Sequence, residues 1–249
     1  MVQETPAQAQ DGNETCKPLE LPVEVLEILG EFEHGKEYNG WKWVRDYKIG
    51  DKQLKLMSRL RQDREFKEFL VHGEIDVCKE KLIELVMHMS RRKHWDDTYV
   101  EHELIATDNK GTDIIYSASK YPFPLAKRLY VVARTVYGSM DNTVVIYSKV
   151  IPYSYPKRYK WSTQVEDFES ALIVRNKEGD EELCEILVTY FENPKVILPA
   201  TYLNLIIETL VPKILEKMII ACKSHSIPTY QDYCKNLACL PLPDHGDKG

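Results

Sequence analysis

The sequence lacks the motifs that mark the common small enzymes and metal-binding proteins. Its six cysteines form no CxxC pair and stand at no zinc-ligand spacing with histidine. There is no GxSxG elbow, no glycine-rich phosphate loop before a helix, and no second histidine at metalloprotease spacing after His102. An acid/base pair of His88 and His94 is one enzymatic alternative, but histidines at a helix end are more often solvated. We therefore expect reduced thiols, no metal site, no cofactor and no enzymatic activity.

An excess of basic charge is also missing. The chain has 33 basic and 39 acidic residues, for a formal net charge of -6, which argues against a protein that coats nucleic acid. No apolar stretch follows Met1, so we expect no secretory signal and a cytoplasmic protein. The long segment that ends at Ser224 carries a polar stripe and Pro212, a pattern that is atypical of a membrane span.

No internal repeat or low-complexity linker divides the chain. Its 249 residues, 43% of them hydrophobic, are enough for one sizeable core. We predict a disordered tail over residues 1–18, one domain over residues 19–225, and an extension over residues 226–249 that is flexible at its end. We expect a monomer.

Nine segments alternate polar with apolar residues or are rich in β-forming residues, which predicts strands. They are residues 41–47, 54–60, 66–73, 99–106, 112–119, 128–137, 143–151, 164–174 and 183–191. The apolar period changes to three or four in residues 22–32, residues 77–90 and the segment before Ser224, which predicts helices. The pattern alone supports an α+β fold.

Two motifs are informative in combination. The corner Lys120-Tyr121-Pro122-Phe123-Pro124 cannot lie inside a sheet, because proline donates no ladder hydrogen bond; it either flanks a pocket or forms a rigid turn. Arg92-Lys93-His94-Trp95-Asp96 closes a predicted helix, and Asn193-Pro194 precedes the last helix. Together with the order of elements, these motifs resemble the START lipid-transfer family, and most of all its phosphatidylcholine-transfer branch. The likeness runs from about residue 40 to residue 225.

The resemblance implies a helix-grip START fold. In it, a curved antiparallel sheet of about nine strands wraps around a long C-terminal amphipathic helix and encloses a lipid tunnel. The implied function is the carriage of one glycerophospholipid between membranes inside the cell, with transient contact at the membrane surface. The alternative is that the apolar side of the last helix simply completes the core.

The predicted tunnel and lid residues lie on the last helix and one strand. Pro212 interrupts the helix and frees a carbonyl, so it is expected to let the helix flex for lipid entry. The predicted lining residues are Tyr116, Leu203, Ile207, Leu210, Val211, Ile214 and Met218.

The resemblance places a phosphate-contacting arginine at Arg92. A guanidinium can meet a phosphate with two parallel hydrogen bonds, and Asp96, four residues later, can hold the charge when the site is empty. A surface ion pair at a helix end is the alternative.

Choline recognition in the resembled branch uses a tryptophan and two tyrosines, and this chain differs there. The tryptophan position is Ser117, one tyrosine is retained as Tyr130, and the other is Phe168. Since each aromatic face contributes about 0.5–2 kcal/mol to binding a quaternary ammonium, we expect a weaker choline preference. Ser117 offers a hydrogen bond that suits an ethanolamine, glycerol or serine headgroup.

Two further interpretations stay open. A sterol or other neutral-lipid carrier on the same fold is suggested by Arg134, at a family arginine position, although Asp113 near the mouth is its only visible acidic partner. A lipid-sensing adaptor is suggested by the aromatic and basic residues of segment 153–161, which equally suit a membrane surface. A partner protein cannot be named.

Overall fold

The computed structural model describes residues 17–63, 66–108, 110–123, 125–153, 155, 159–193, 200–224, 234 and 236–243, without the side chains of residues 200–208. The helices in this part of the chain are α1 (Val23–Glu33), α2 (Lys79–Met87), α3 (Met89–Arg92) and α4 (Ala200–Ser224). The strands are β1 (Lys42–Ile49), β2 (Lys52–Arg59), β3 (Glu68–Ile75), β4 (Tyr99–Thr107), β5 (Thr112–Ser119), β6 (Lys127–Gly138), β7 (Val144–Val150), β8 (Ser162–Gln164), β9 (Phe168–Lys177) and β10 (Asp180–Glu192).

The strands form one open, curved sheet in the order β1-β2-β3-β10-β9-β7-β6-β5-β4. Every neighbouring pair on this path is antiparallel, while β8 pairs in parallel with the start of β6. All nine predicted strands are present, which confirms the α+β helix-grip expectation. Strand β8 was missed because three residues are too few to display an alternation.

The segment predicted as one helix over residues 77–90 is two helices. The backbone of His88 leaves the helical region, with φ -84° and ψ 83°, so α2 ends before it and α3 begins after it. Apolar spacing continues across the break, and for that reason periodicity alone did not reveal it. The break sets the direction of the short helix that carries Arg92.

Helices pack on both faces of the sheet. Val136, Ile146, Val174 and Ile186 pack in one cluster with residues of α2 and α4, and we call this the inner face. Because successive side chains of a strand alternate sides, their neighbours point the other way. Those neighbours pack against α1 on the outer face; they are Tyr137, Val145, Ile173 and Leu187.

Helix α4 contains Pro212 and is anchored by its second half. Leu215, Met218 and Ile219 are buried against the inner face, so Met218 completes the core there. Leu210, Val211 and Ile214 are half-buried. Two further predicted lining side chains, Leu203 and Ile207, lie outside the described part. No helix among the described residues is long and apolar enough to cross a membrane.

Described residues of the C-terminal extension lie against the sheet. The amide of Leu240 donates to the carbonyl of Val136 at 2.9 Å, and the amide of Gly138 donates to the carbonyl of Leu240 at 2.8 Å. Leu240 and Leu242 pack beside α1 on the outer face. The predicted tail over residues 1–18 falls almost wholly outside the described residues, as do residues 244–249.

Candidate functional site

Several predicted site residues meet on the inner face, at the end where β5 stops and β6 starts. Ser117 is the direct cross-strand partner of Tyr130. The ring of Tyr130 lies edge-on to that of Phe168 on β9, with centroids 5.5 Å apart. The three positions of the expected headgroup cage are therefore on one face and at one end of the sheet.

A group of tyrosines that sequence reasoning missed surrounds this point. The hydroxyls of Tyr121, Tyr130 and Tyr190 all donate to Oε2 of Glu192, at 2.9, 2.9 and 2.6 Å. Phe168 also lies edge-on to Tyr190, with centroids 5.7 Å apart. We call these five residues the tyrosine cluster. Its members come from the corner after β5 and from β6, β9 and β10, so no local pattern could have assembled it.

The tyrosine cluster is built around a buried charge. The side chain of Glu192 is 5% exposed and that of Arg128 is 1% exposed. Nε of Arg128 lies 3.5 Å from Oε1 of Glu192, so this contact is mainly electrostatic. Burial and the carboxylate raise the pKa of Tyr121 above its ordinary value, and burial also raises the pKa of Tyr130 and Tyr190. The phenols consequently stay protonated and donate, which offsets the desolvation of Glu192.

The turn that contains Pro122 brings Tyr121 to this cluster. The amide of Leu125 donates to the carbonyl of Pro122 at 2.9 Å, and the amide of Lys120 donates to the carbonyl of Thr98 at 2.6 Å. This turn directs Tyr121 inward and leaves Phe123 92% exposed. The corner therefore contributes one wall residue to the inner face and one apolar side chain to solvent.

The ion pair that the sequence spacing predicted between Arg92 and Asp96 is present. Nε of Arg92 donates to Oδ2 of Asp96 at 2.6 Å, while Oδ1 accepts from the amide and the hydroxyl of Thr98 at 2.8 and 2.6 Å. Burial would raise the pKa of Asp96, but the charge of Arg92 and the hydrogen bonds from Thr98 outweigh it and lower that pKa. The Arg92 side chain is 32% exposed, whereas that of Asp96 is buried. Arg92 can thus turn toward a ligand while Thr98 keeps Asp96 satisfied.

Arg134 pairs with Asp113, the one acidic residue that the sequence offered as its partner. Its Nη2 donates to Oδ2 of Asp113 at 2.7 Å and to the carbonyl of Met87 at 3.3 Å, and its Nη1 lies 3.5 Å from the carbonyl of Val86. The register of β5 with β6 places Asp113 directly opposite Arg134. This buried arginine joins β6 to the C-terminal end of α2, where a cation is favoured by the helix dipole.

Tyr116 lies on the outer face, which corrects its predicted place in the tunnel. Its ring stacks on that of Tyr155 with centroids 3.9 Å apart, and it packs with Leu129 and Val131. The reason is strand alternation: Ser117 points inward, so its neighbour cannot.

His102 is another inner-face residue that the sequence analysis did not assign to the site. It is the cross-strand partner of Ser117, and its Nδ1 lies 2.7 Å from the hydroxyl of Tyr99. Burial lowers the pKa of His102, and the charges of Arg134, Arg92 and Lys93 lower it further. The pairing of β4 with β5 is irregular on both sides of His102, between Tyr99 and Glu101 and between Leu104 and Ala106, so alternation along β4 does not by itself place this histidine inside.

The described residues contain no group of three or more histidine, cysteine or acidic side chains placed to hold a metal ion. Cys78, Cys184, Cys222 and Cys234 are buried free thiols, and Cys239 is partly buried. Burial raises the pKa of Cys222 to about 12, which keeps this thiol protonated and unreactive.

The sequence is similar to known lipid-transfer proteins. The family model of the START domain matches residues 31–226. The human StAR-related lipid transfer protein 7, mitochondrial, is 26% identical over 195 residues, which cover 77% of this chain and 51% of that protein. This chain therefore spans about half the length of that relative. Rat phosphatidylcholine transfer protein is 28% identical over 166 residues, covering 64% of this chain and 74% of that protein.

Solved structures agree on the fold. The crystal structure of human STARD10 has a TM-score of 0.69 at 20% identity, covering 92% of this chain and 97% of that one. Human StAR-related lipid transfer protein 5 has a TM-score of 0.67 at 11% identity, covering 81% and 95%. At these identities the likeness concerns the fold alone.

Proposed function

The chain belongs to the START domain family, and on that premise we propose that it binds one glycerophospholipid and carries it between membranes. START domains of this kind bind and transfer lipid. Phosphatidylcholine is the first headgroup to test, because one of the similar proteins is a phosphatidylcholine transfer protein. The headgroup preference of this chain is the finer part of the proposal.

The ion pair between Arg92 and Asp96 is the main observation that supports phospholipid binding. The bond to Asp96 uses Nε of Arg92, which leaves the two terminal nitrogens for a phosphate. Asp96 keeps two hydrogen bonds from Thr98 if Arg92 turns away, so exchange does not leave a buried carboxylate unsatisfied. An arginine with such a retained partner is suited to reversible binding of an anion.

The tyrosine cluster supports a cationic headgroup beside that phosphate. Tyr130 and Phe168 present aromatic surface on the inner face, and Glu192 adds a carboxylate. Cation–π attraction contributes about 0.5–2 kcal/mol for each face. Serine at position 117 in place of a third aromatic ring is expected to weaken choline binding and to leave room for a headgroup that donates hydrogen bonds.

The energetic purpose of such a carrier follows from the size of its cargo. A diacyl phospholipid has roughly 30 methylenes, so its unaided transfer through water costs on the order of 25 kcal/mol. An apolar chamber between the inner face and α4 removes most of that cost without covalent chemistry. Leu203, Ile207, Leu210, Val211 and Ile214 remain its predicted α4 lining, whereas Met218 belongs to the buried core.

Membrane contact is proposed at the same end of the molecule. Ser162 pairs with Lys127, so Trp161, which is 78% exposed, lies near the corner that exposes Phe123. The ammonium of Lys127 lies 4.2 Å from the ring centroid of Tyr159. Exposed aromatic and basic side chains in one place suit a transient contact with an anionic membrane surface. The protein is proposed to act as a cytoplasmic monomer between such contacts.

A sterol carrier is the second candidate function. The observation that favours it is the ion pair of Arg134 with Asp113, buried on the inner face. Two nitrogens of Arg134 already contact Asp113 and the end of α2, so the pair also has a structural role. We rank it below the phospholipid for that reason.

Native mass spectrometry with lipid extraction tests the proposal directly. Protein purified from a eukaryotic host is expected to carry one glycerophospholipid per chain, and the extract identifies the headgroup. A co-purifying sterol would instead favour the second candidate. A folded protein that stays empty after incubation with mixed phospholipid and sterol vesicles would contradict both.

A further inference from the structure

We propose that His102 is a headgroup-recognition residue, whose Nε2 donates a hydrogen bond to the phosphate of the bound lipid and whose ring takes up a proton when that lipid binds. This inference rests on the proposed function and deepens it. It concerns a residue that the sequence analysis left unassigned, and it adds a pH dependence to the headgroup site.

The position of His102 places it within the candidate site. The cross-strand row His102, Ser117 and Tyr130 runs over the inner face, and the next row toward the sheet end is Tyr99, Ser119 and Arg128. His102 therefore lies on the same face as the tyrosine cluster, two strands away from Tyr130.

Tyr99 fixes which nitrogen of the imidazole can reach a ligand. Its hydroxyl lies 2.7 Å from Nδ1 of His102, and the two rings are 5.8 Å apart. Burial raises the pKa of Tyr99, so its phenol stays protonated and can donate to Nδ1. In a neutral imidazole whose Nδ1 accepts, Nε2 carries the hydrogen. Nε2 is then a donor available to a second partner.

Charged groups around His102 are predominantly cationic. Arg92 and Lys93 act on it from the end of α3 and the residue after it, and Arg134 acts from β6. Asp96 and Asp113 face the same region, but each is already paired with one of these arginines. Together with burial, this field keeps the empty-state imidazole neutral.

A lipid phosphate reverses that balance. Its negative charge between Arg92 and His102 offsets the repulsion from the cations and favours the protonated ring, which binds the anion more tightly. The pKa of His102 is therefore low without lipid and higher with it. Affinity must therefore increase as pH falls toward the empty-state pKa, and binding must take up a proton from solvent.

Soluble short-chain lipids separate this effect from membrane docking. The full-length protein, delipidated, is titrated calorimetrically with dihexanoylphosphatidylcholine at about pH 7.5 and about pH 5.5, in buffers of different ionisation enthalpy. The variants are His102→Asn and Tyr99→Phe, and the matched control is His94→Asn, an exposed histidine beside the site. Dihexanoylglycerol, which lacks the phosphate, is the ligand control. Thermal unfolding verifies that each variant is folded.

We expect the wild-type affinity for the phospholipid to rise about threefold to tenfold between the two pH values, with proton uptake. His102→Asn removes both the rise and the uptake, Tyr99→Phe reduces them, and His94→Asn behaves as wild type. Binding of dihexanoylglycerol is the same in all four proteins. A His102→Asn variant that keeps the pH dependence overturns the inference while leaving phospholipid binding intact. If wild-type protein binds no phospholipid at either pH, both the inference and the proposed function fail.

Discussion

Strand β10 carries two carboxylates, Glu185 and Glu192, on opposite faces of the sheet. Each is held by hydrogen bonds or ion pairs, but the partners differ in kind. On the outer face, Glu185 accepts from Nε2 of His72 at 2.8 Å and from Nε of Arg175 at 2.9 Å, and Arg175 lies 4.4 Å from the ring centroid of Phe32 on α1. We call these four residues the outer staple. On the inner face, Glu192 is held by three tyrosine hydroxyls and by a more distant arginine.

The difference lies in what satisfies each charge. The outer staple pairs its carboxylate with cationic or ionisable groups in fixed, short contacts, and it joins α1 to the sheet. The tyrosine cluster uses neutral hydroxyls whose hydrogens can rotate toward another acceptor. A glutamate of the same strand thus fastens a helix on one face and forms part of an adaptable polar wall on the other.

The largest expected effect concerns the inner face. Replacing Arg92 with Ala should reduce phospholipid transfer between vesicles to background, because the phosphate loses its bidentate partner. Stability should change little, since Arg92 is partly exposed. A fluorescent-phosphatidylcholine transfer assay measures the rate, with Arg45→Ala on the exposed edge strand β1 as the matched control. Normal transfer by the Arg92 variant would remove this residue from the mechanism.

The second largest expected effect is a loss of stability on replacing Glu192. Glu192→Ala should lower the free energy of unfolding by about 3 kcal/mol, because it removes the carboxylate beside buried Arg128 and the shared acceptor of three tyrosines. Denaturant unfolding gives the value. Glu182→Ala, at an exposed position on the same strand, is the control and should stay within about 0.5 kcal/mol of wild type. An equally small change at Glu192 would mean that the tyrosine cluster does not depend on its charge.

The stabilisation that the outer staple provides should be lost over a defined range of acidic pH. The hydrogen bond from His72 and the charge of Arg175 lower the pKa of Glu185 to about 2 from 4.5, against the opposing effect of burial. Because the folded-state pKa is depressed, this stabilisation is complete above about pH 4.5 and is lost as pH falls toward about 2. The loss is on the order of 2–3 kcal/mol. Unfolding measured from pH 5 down to about pH 2 should show that slope, and Glu185→Gln should flatten it.

The smallest expected effect tests whether the outer staple is purely structural. Arg175→Ala should cost about 1–2 kcal/mol in unfolding free energy, through the lost contacts to Glu185 and to the ring of Phe32. Phospholipid transfer by the folded variant should equal that of wild type. A transfer rate that falls more than stability explains would show that the outer face takes part in binding.

Most of the fold could be predicted because alternation and period describe single segments. Residues 112–119 and 128–137 were located as strands with nearly the observed bounds, as was the long last helix. Strand β8 was too short to show a period, and the break at His88 has no apolar signature.

The site was harder to predict because it depends on pairing between segments. The register that puts Ser117 opposite Tyr130 also puts Asp113 opposite Arg134 and fixes Tyr116 on the other face. Register cannot be read from one strand alone. Glu192 and its three tyrosines come from segments far apart in the chain, so their convergence needs the whole sheet.

A crystal structure of the protein loaded with dioleoylphosphatidylcholine tests the central claim most directly. The account predicts the lipid phosphate within hydrogen-bond distance of Arg92, the headgroup nitrogen toward Tyr130 and Phe168, and the acyl chains between the inner face and α4. A lipid bound on the outer face, or a phosphate held away from Arg92, would contradict it.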